Sequence, residues 1–322
     1  MGQTKSALAI HGGAGTILKS KMTPELELEY RSGLEAALRA GWDILDKGGS
    51  SLDAVEAAVV SLEDFPLFNA GRGSVFTHEG KNEMDAAIMD GSTINAGAVA
   101  CVRNVKNPIK LARLVMERTV HVSLAGDGAD LFAEEVGVEL ADNAYFYTEF
   151  RWKQLEDAIA AGKVQLDHSV YDSETQPPAS ASSSKPFGTV GAVACDSSGR
   201  LAAATSTGGM TNKKYGRVGD TAIIGAGTYA GETCAVSCTG HGEYFMRNLT
   251  AYDVAARMKY KGLNLEDAAR ETIEHLAKIG GEGGLIAVDT LGNLVLPFNS
   301  EGMYRGWIGE DGEVNVSVYR EQ

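Results

Sequence analysis

A Gly-Thr step joins two stretches of opposite character. Residues 168–187 carry six serines and three of the chain's seven prolines, a composition that buries too little apolar surface to order itself. Downstream, "GTVGAVACD" from Gly188 to Asp196 reads as a buried strand of small residues. Thr189 stands where the first ends and the second begins. A threonine hydroxyl is a poor nucleophile until a base takes its proton. Cutting the bond between Gly188 and Thr189 sets a new α-amine beside that hydroxyl. Such an amine titrates near about 7.7–8.0, and partial burial lowers it further. One residue then supplies nucleophile and base. Gly188 suits the cut, because it tolerates strained backbone angles and leaves its carbonyl open to Thr189 Oγ. β-Branching stiffens χ1 and holds Oγ on target.

Further along, "TSTGGMTNKKYGRVGD" supplies Arg217 and Asp220. A guanidinium can fork onto an α-carboxylate, and a carboxylate can accept from an α-ammonium. The pair therefore suits a ligand with an amino-acid head; the plainer alternative is a surface ion pair. "CTGHG" follows an apolar strand and supplies Thr239, Gly240 and Gly242. A hydroxyl and a backbone N–H there can donate to a developing oxyanion. His241, between those glycines, is assigned to lining the pocket rather than to general-base work. His11, at a strand end beside glycines, is assigned a structural hydrogen bond.

Several elements must bring these groups together. Thr23 caps a helix with Pro24 at its first position and apolar residues at helical spacing from Leu26 to Leu45. A second helix is expected over 52–64, and others over 108–118, 129–136, 148–161, 243–260 and 265–278. Strands are expected near 7–10, 74–76, 86–89, 98–102, 222–226, 235–239, 285–289, 294–298 and 314–319. "DSSG" marks a hairpin between 189–196 and 200–207. With Gly199 left-handed in a three-residue loop, Asp196 pairs with Arg200 and Thr189 falls opposite Thr207. Hairpin-like strand groups with helices between them favour sheets packed face to face over a doubly wound parallel sheet.

Composition narrows the function classes. The 322-residue chain carries a net charge of −14, which disfavours nucleic-acid and anionic-membrane partners. Its four cysteines, Cys101, Cys195, Cys234 and Cys238, show no zinc spacing. Cys234 and Cys238 lie about 13 Å apart on one strand, too far for a disulfide. Free thiols, no apolar run that spans a membrane and no signal-peptide layout point to the cytoplasm. Gly2 and Ser6 match an acylation pattern, but one acyl chain without a basic partner anchors poorly. "GAGTYAG" has no helix pattern after it and is not taken as a dinucleotide loop.

The motifs together, "HGGAG", "FPLFNAGRGSVFT", "MDAAIMDG", "NPIKLARLVME", "GTVGAVACD", "TSTGGMTNKKYGRVGD", "IIGAGTYA", "AVSCTGHGE" and "PFNSEGMYRG", resemble the plant-type L-asparaginase / isoaspartyl peptidase family of N-terminal-nucleophile hydrolases. The resemblance spans nearly the whole chain apart from the 168–187 linker. It implies an α+β fold, a four-layer αββα sandwich. It implies one domain over 1–322, self-cleaved into 1–188 and 189–322, and a dimer of the two-fragment units. It implies hydrolysis of isoaspartyl dipeptides and of the asparagine side-chain amide, through a β-aspartyl ester on Thr189, with no cofactor in the chemistry. By position, Thr207 orients the nucleophile, Arg217 and Asp220 clamp the α-carboxylate and α-amine, and Thr239 and Gly240 form the oxyanion hole. Gly242 contacts the α-amine through its backbone, and Asn69 stands near the nucleophile. Many members hold sodium through main-chain carbonyls, here those of Leu62, Glu63, Phe65, Phe68, Ala70 and Arg72; a potassium requirement, known in some, is left open. His241 replaces a smaller polar residue, which bears on substrate preference rather than reaction type. Two alternatives remain. One is a glycosylasparaginase, whose relatives are secretory and disulfide-bonded. The other is an uncut chain that binds without catalysis.

Overall fold

The computed structural model describes residues 5–17, 19–162, 164–166, 169–170 and 188–320. In chain order it holds β1 (Ala7–Gly15), α1 (Pro24–Asp46), α2 (Ser51–Asp64), β2 (Met84–Asp90), β3 (Ala96–Val102), α3 (Pro108–Arg118), β4 (Ser123–Ala125), α4 (Gly126–Val136), α5 (Asn143–Phe146) and α6 (Glu149–Ala160). After the short pair β5 (Gln165–Leu166) and β6 (Ser169–Val170) come β7 (Val190–Cys195), β8 (Leu201–Thr207), β9 (Thr228–Ala230), β10 (Cys234–Gly240), α7 (Gly242–Asn248), α8 (Thr250–Lys261) and α9 (Leu265–Lys278). The chain closes with β11 (Gly283–Asp289), β12 (Leu294–Val295), β13 (Gly302–Ile308) and β14 (Asn315–Tyr319).

Local chemistry starts the helices where the sequence predicts. Thr23 Oγ accepts from Leu26 N, Pro24 takes the first helical position, and Glu25 and Glu27 face the positive end of the helix dipole. Ser50 caps α2 and Thr148 caps α6 in the same way. On α1, Tyr30, Leu34, Leu38 and Leu45 are buried, so one stripe of the helix seals against the sheet.

Eight strands form one sheet in the order β14-β13-β1-β7-β8-β2-β3-β4, and four form a second in the order β12-β11-β10-β9. All neighbouring pairs are antiparallel except β3 with β4. Strand alternation divides the core. On β1, Leu8 and Ile10 pack with α1 and α2 residues such as Leu34 and Val55, while Ala7 and Ala9 join Val193 and Ala203 against Ile286 and Val288 of the second sheet. The other face of that sheet, with Val236 and Leu285, meets Val254, Ile273 and Leu276 of α8 and α9. The chain is thus a mixed α+β fold. Small residues dominate β7 (VGAVAC) and β8 (LAAATST), which lets both neighbours approach closely.

The hairpin has the register counted from "DSSG": Gly199 is left-handed at φ 77, and Val190 pairs with Ser206 through to Cys195 with Leu201. Elsewhere the structure corrects the sequence. The helix expected over 243–260 is two, because Leu249 turns left-handed at φ 48 and its N–H closes onto Met246 and Phe245. Residues 222–226 are no strand; Ile223 N and Gly227 N both return to Asp220 O, which wraps the backbone around Asp220. The strand over 294–298 shortens to Leu294–Val295 ahead of Pro297, and 74–76 contributes only a bridge from Phe76 to Asn82. β13 was not foreseen at all. The linker expectation over 168–187 lies outside the described residues except Ser169–Val170, which pair with β5 rather than running free. Gly2 also lies outside them. Among the described residues no helix is long and apolar enough to cross a membrane, and all four cysteines are free.

Candidate active site

The site gathers where β1, β7 and β8 end against β10. Thr189, one residue before β7, is nearly buried, and its Oγ donates to Thr207 Oγ at 3.1 Å. Thr207 also accepts from Gly209 N at 2.9 Å. Two donors therefore aim at the Thr207 oxygen, which fixes its orientation. Asn69 braces the same turn: Gly208 N donates to its carbonyl, and its Nδ2 donates to Gly209 O at 2.8 Å. The bond ahead of Thr189 is clasped from β1. A β-carbon on Gly13, whose φ is +116, would lie 2.6 Å from Gly188 N, so only glycine can pass there.

From the second sheet, fully buried Thr239 accepts from Ala14 N at 3.2 Å, leaving its own hydroxyl proton to donate. Gly240 follows it at φ +147, facing Gly283 across the ladder. Beyond it, α7 begins at Gly242, and a β-carbon there would come within 2.8 Å of Asp220 Oδ1 and 2.9 Å of an Arg217 terminal nitrogen. Arg217, Asp220 and Gly242 are therefore neighbours. Asp220 is 4% exposed, and its Oδ2 has no hydrogen-bond partner among the described residues. Burial pushes its carboxyl up to about 7, against the opposing pull of Arg217.

Arg217 and Asp220 do not pair with each other among the described residues. The guanidinium instead forks onto Glu243, with Nε and one terminal nitrogen each 3.0 Å from a carboxylate oxygen. The other terminal nitrogen faces Gly209 and Gly219. His241 is partly buried, 3.6 Å from Glu243 and edge-on to Tyr244. Burial lowers its pKa, opposed by Glu243.

Three features escaped the sequence reading. Glu243 has a local signal, an acid in the first turn of the helix after "CTGHG". Ser237 shares a strand face with Thr239 by alternation; its Oγ meets His11 Nε2 at 2.9 Å, while His11 Nδ1 reaches Thr189 O at 2.9 Å. Arg151 on α6 is fully buried and donates to Gly73 O at 2.7 Å and to Leu67 O, pinning the loop that carries Asn69. No short-range pattern marks it.

Among the described residues no three His, Cys, Asp or Glu side chains cluster to hold a metal. Main-chain oxygens do crowd the loop after α2. A β-carbon on Gly73 would meet Phe68 O at 2.1 Å and Pro66 O at 2.5 Å, and one on Gly71 would meet Glu63 O at 2.5 Å.

Residues 4–318 match the sequence pattern of the family described as Asparaginase. The chain belongs to the asparaginase family. It is 51% identical over 319 residues to the isoaspartyl peptidase of Salmonella typhimurium, covering 98% of this chain and 99% of the relative. The isoaspartyl peptidase of Escherichia coli K12 is 49% identical over 320 residues, 99% of this chain and 97% of its own. A plant-type L-asparaginase of Pyrococcus abyssi is 44% identical over 306 residues, 94% and 96% of the two chains. Family membership thus agrees with the resemblance carried by the sequence motifs.

Proposed function

We propose that the chain is a self-activating amidohydrolase of isoaspartyl dipeptides and the asparagine side-chain amide. In maturation, Thr189 Oγ adds to the Gly188 carbonyl carbon, and the acyl group passes from nitrogen to oxygen. That shift frees the Thr189 α-amine; water then splits the ester, releasing the Gly188 carboxylate and restoring the Thr189 hydroxyl. In turnover the amine takes the Thr189 hydroxyl proton, with Thr207 orienting the oxygen. The oxygen attacks the substrate's β-carbonyl. Thr239 Oγ–H and Gly240 N–H donate to the oxyanion. The leaving amine departs with the proton, and water releases aspartate from the β-aspartyl ester.

At the substrate's other end, Arg217 binds the α-carboxylate, and Asp220 and the Gly242 backbone receive the α-ammonium. The orphaned Asp220 Oδ2 supports this assignment, since a buried carboxylate oxygen needs a donor. The single observation that carries the reading is the 3.1 Å hydroxyl pair of Thr189 and Thr207, set directly behind the Gly188–Thr189 bond.

The fold is read as the four-layer αββα sandwich, supported by two cores between helices and a sheet and one between the two sheets. Sodium would be held by the main-chain carbonyls of Leu62, Glu63, Phe65, Phe68, Ala70 and Arg72, at the end of α2 and the turn after it. The crowding of oxygens around Gly71 and Gly73 suits a hard cation, whose part would be to stiffen the loop bearing Asn69. A cytoplasmic dimer of two-fragment units completes the proposal; three buried free thiols favour a reducing compartment.

Intact mass and a denaturing gel test the reading. The wild type yields fragments 1–188 and 189–322, and Thr189→Ala stays whole and inactive. A wild-type chain that never splits, or an active Thr189→Ala variant, overturns it.

A further inference from the structure

One row of residues crosses three strands beside the nucleophile. His11 of β1 pairs with Gly191 of β7, and Gly191 pairs with Thr205 of β8. Ser237 of β10, in the opposite sheet, reaches both flanking residues. Its Oγ lies 2.9 Å from His11 Nε2 and 2.7 Å from Thr205 Oγ. It does so through the space that Gly191 leaves: a β-carbon there would lie 2.0 Å from Ser237 Oγ and 2.5 Å from His11 Nε2. Glycine at 191 is thus a keyhole for a bond between sheets. Thr228 Oγ continues the chain to Thr205 Oγ at 2.7 Å. His11, Thr205, Ser237 and Thr228 are all fully buried.

The proton directions follow from one fixed point. His11 Nδ1 lies 2.9 Å from Thr189 O. A carbonyl oxygen only accepts, so Nδ1 carries the hydrogen. In a neutral ring Nε2 then holds a lone pair, and Ser237 must donate to it. Ser237 has no second proton, so Thr205 donates to Ser237, and Thr228 to Thr205. Burial favours the neutral ring and pulls the His11 pKa down to about 3.

We infer that His11 is a positioning residue: the Thr228–Thr205–Ser237 chain holds it as the Nδ1–H tautomer, and that N–H anchors the main-chain carbonyl of Thr189. The inference rests on Thr189 being the nucleophile. Once the bond to Gly188 is cut, Thr189 is tethered only through its own carbonyl side. The peptide plane that His11 holds then sets where both the α-amine and Oγ stand.

Two substitutions separate the ring's two nitrogens. In Asn the amide nitrogen hangs on Cγ, as Nδ1 does; in Gln it sits one atom further out, as Nε2 does. H11N keeps a donor for Thr189 O, whereas H11Q keeps reach only towards Ser237. The matured H11Q enzyme is expected to lose about 100-fold in kcat on a β-aspartyl dipeptide, the scale of a small misplacement, with KM little moved. H11N recovers most of kcat. Ser237→Ala, which frees the tautomer, costs about tenfold in kcat. The pH profile of H11N keeps the wild-type shape, since His11 does not titrate. Equal kcat in H11Q and H11N, whether high or low, overturns the inference, as does a pH limb lost in H11N. Nitrogen NMR of wild-type protein guards against variants that fail to fold or mature: a protonated Nε2, or a His11 ring that titrates between pH 5 and 8, also overturns it. Turnover by Thr189→Ala, by contrast, sinks the nucleophile assignment itself, whereas full kcat in H11Q beside an inert Thr189→Ala sinks only the role of His11.

Discussion

Replacing Asp220 by asparagine should stabilise the empty protein while abolishing its activity. The carboxyl is 4% exposed, with one oxygen unpaired, and burial lifts it from the ordinary 3.8 to about 7. Because the folded state raises this pKa, stability is fully present below the unfolded value near 4. It is lost as pH rises through 7. At about 1.4 kcal/mol per tenfold change in proton affinity, the ionised form costs about 4 kcal/mol. Asparagine carries no such charge. Urea unfolding of Asp220→Asn against its parent, both in a Thr189→Ala background that keeps the chain whole, reads the difference directly. At pH 4 the two should nearly coincide. By pH 7.5 the asparagine variant should lead by up to about 4 kcal/mol. A difference independent of pH, or a parent more stable at pH 7.5, would refute the reasoning. The same signature should appear in the kinetics of the wild-type enzyme: with Asp220 proposed to pair with the substrate ammonium, KM should rise as pH falls below about 7 and the carboxyl takes up its proton.

Arg217→Lys should raise KM for L-asparagine by about ten- to a hundredfold, with a smaller change in kcat. A single ammonium cannot hold the fork onto Glu243 and present a further planar donor to the substrate; initial-rate kinetics on asparagine checks this. Gly97→Ala should cost about 3 kcal/mol in urea unfolding, because the new methyl would lie 2.0 Å from Ala112 O, where α3 crosses β3.

Residues whose partners lie nearby in the chain were readable from the sequence. "DSSG" fixed a hairpin, and the hairpin placed Thr189 against Thr207. Thr23 with Pro24 announced a helix, because a cap needs only the next three residues. The "KYGRVGD" and "CTGHG" segments carried their candidate groups, side chains in the first and a hydroxyl with glycine backbone in the second, close together in sequence. What escaped depends on distant contacts. β13 pairs with β1 across the length of the chain, and its "GMYRGWI" shows no clean alternation; Arg305 is accommodated by the carbonyls of Met303 and Tyr319. Leu249 interrupts a helical pattern whose apolar phase continues on both sides. "AIIGA" over 222–226 has a strand's composition, yet its N–H groups close local turns instead of a ladder: Ile223 N onto Asp220 O, Gly225 N onto Thr228 O and Ala226 N onto Ile223 O. Ser237 and Thr205 join His11 only once two sheets are stacked, and glycine at 191 gives no hint of the bond that crosses it.

The large sheet alternates between the two sides of position 188. β1 lies between β13 and β7, and β2 lies against β8, so the hydrogen-bonded seams β13–β1, β1–β7 and β8–β2 all join an early strand to a late one. A nick at that position therefore leaves the molecule braided. Neither piece can peel away without tearing the central ladder, and neither, made alone, has a full set of neighbours to fold against. Cleavage can alter chemistry at one terminus while the architecture stays as it was, and the two pieces should part only on denaturation.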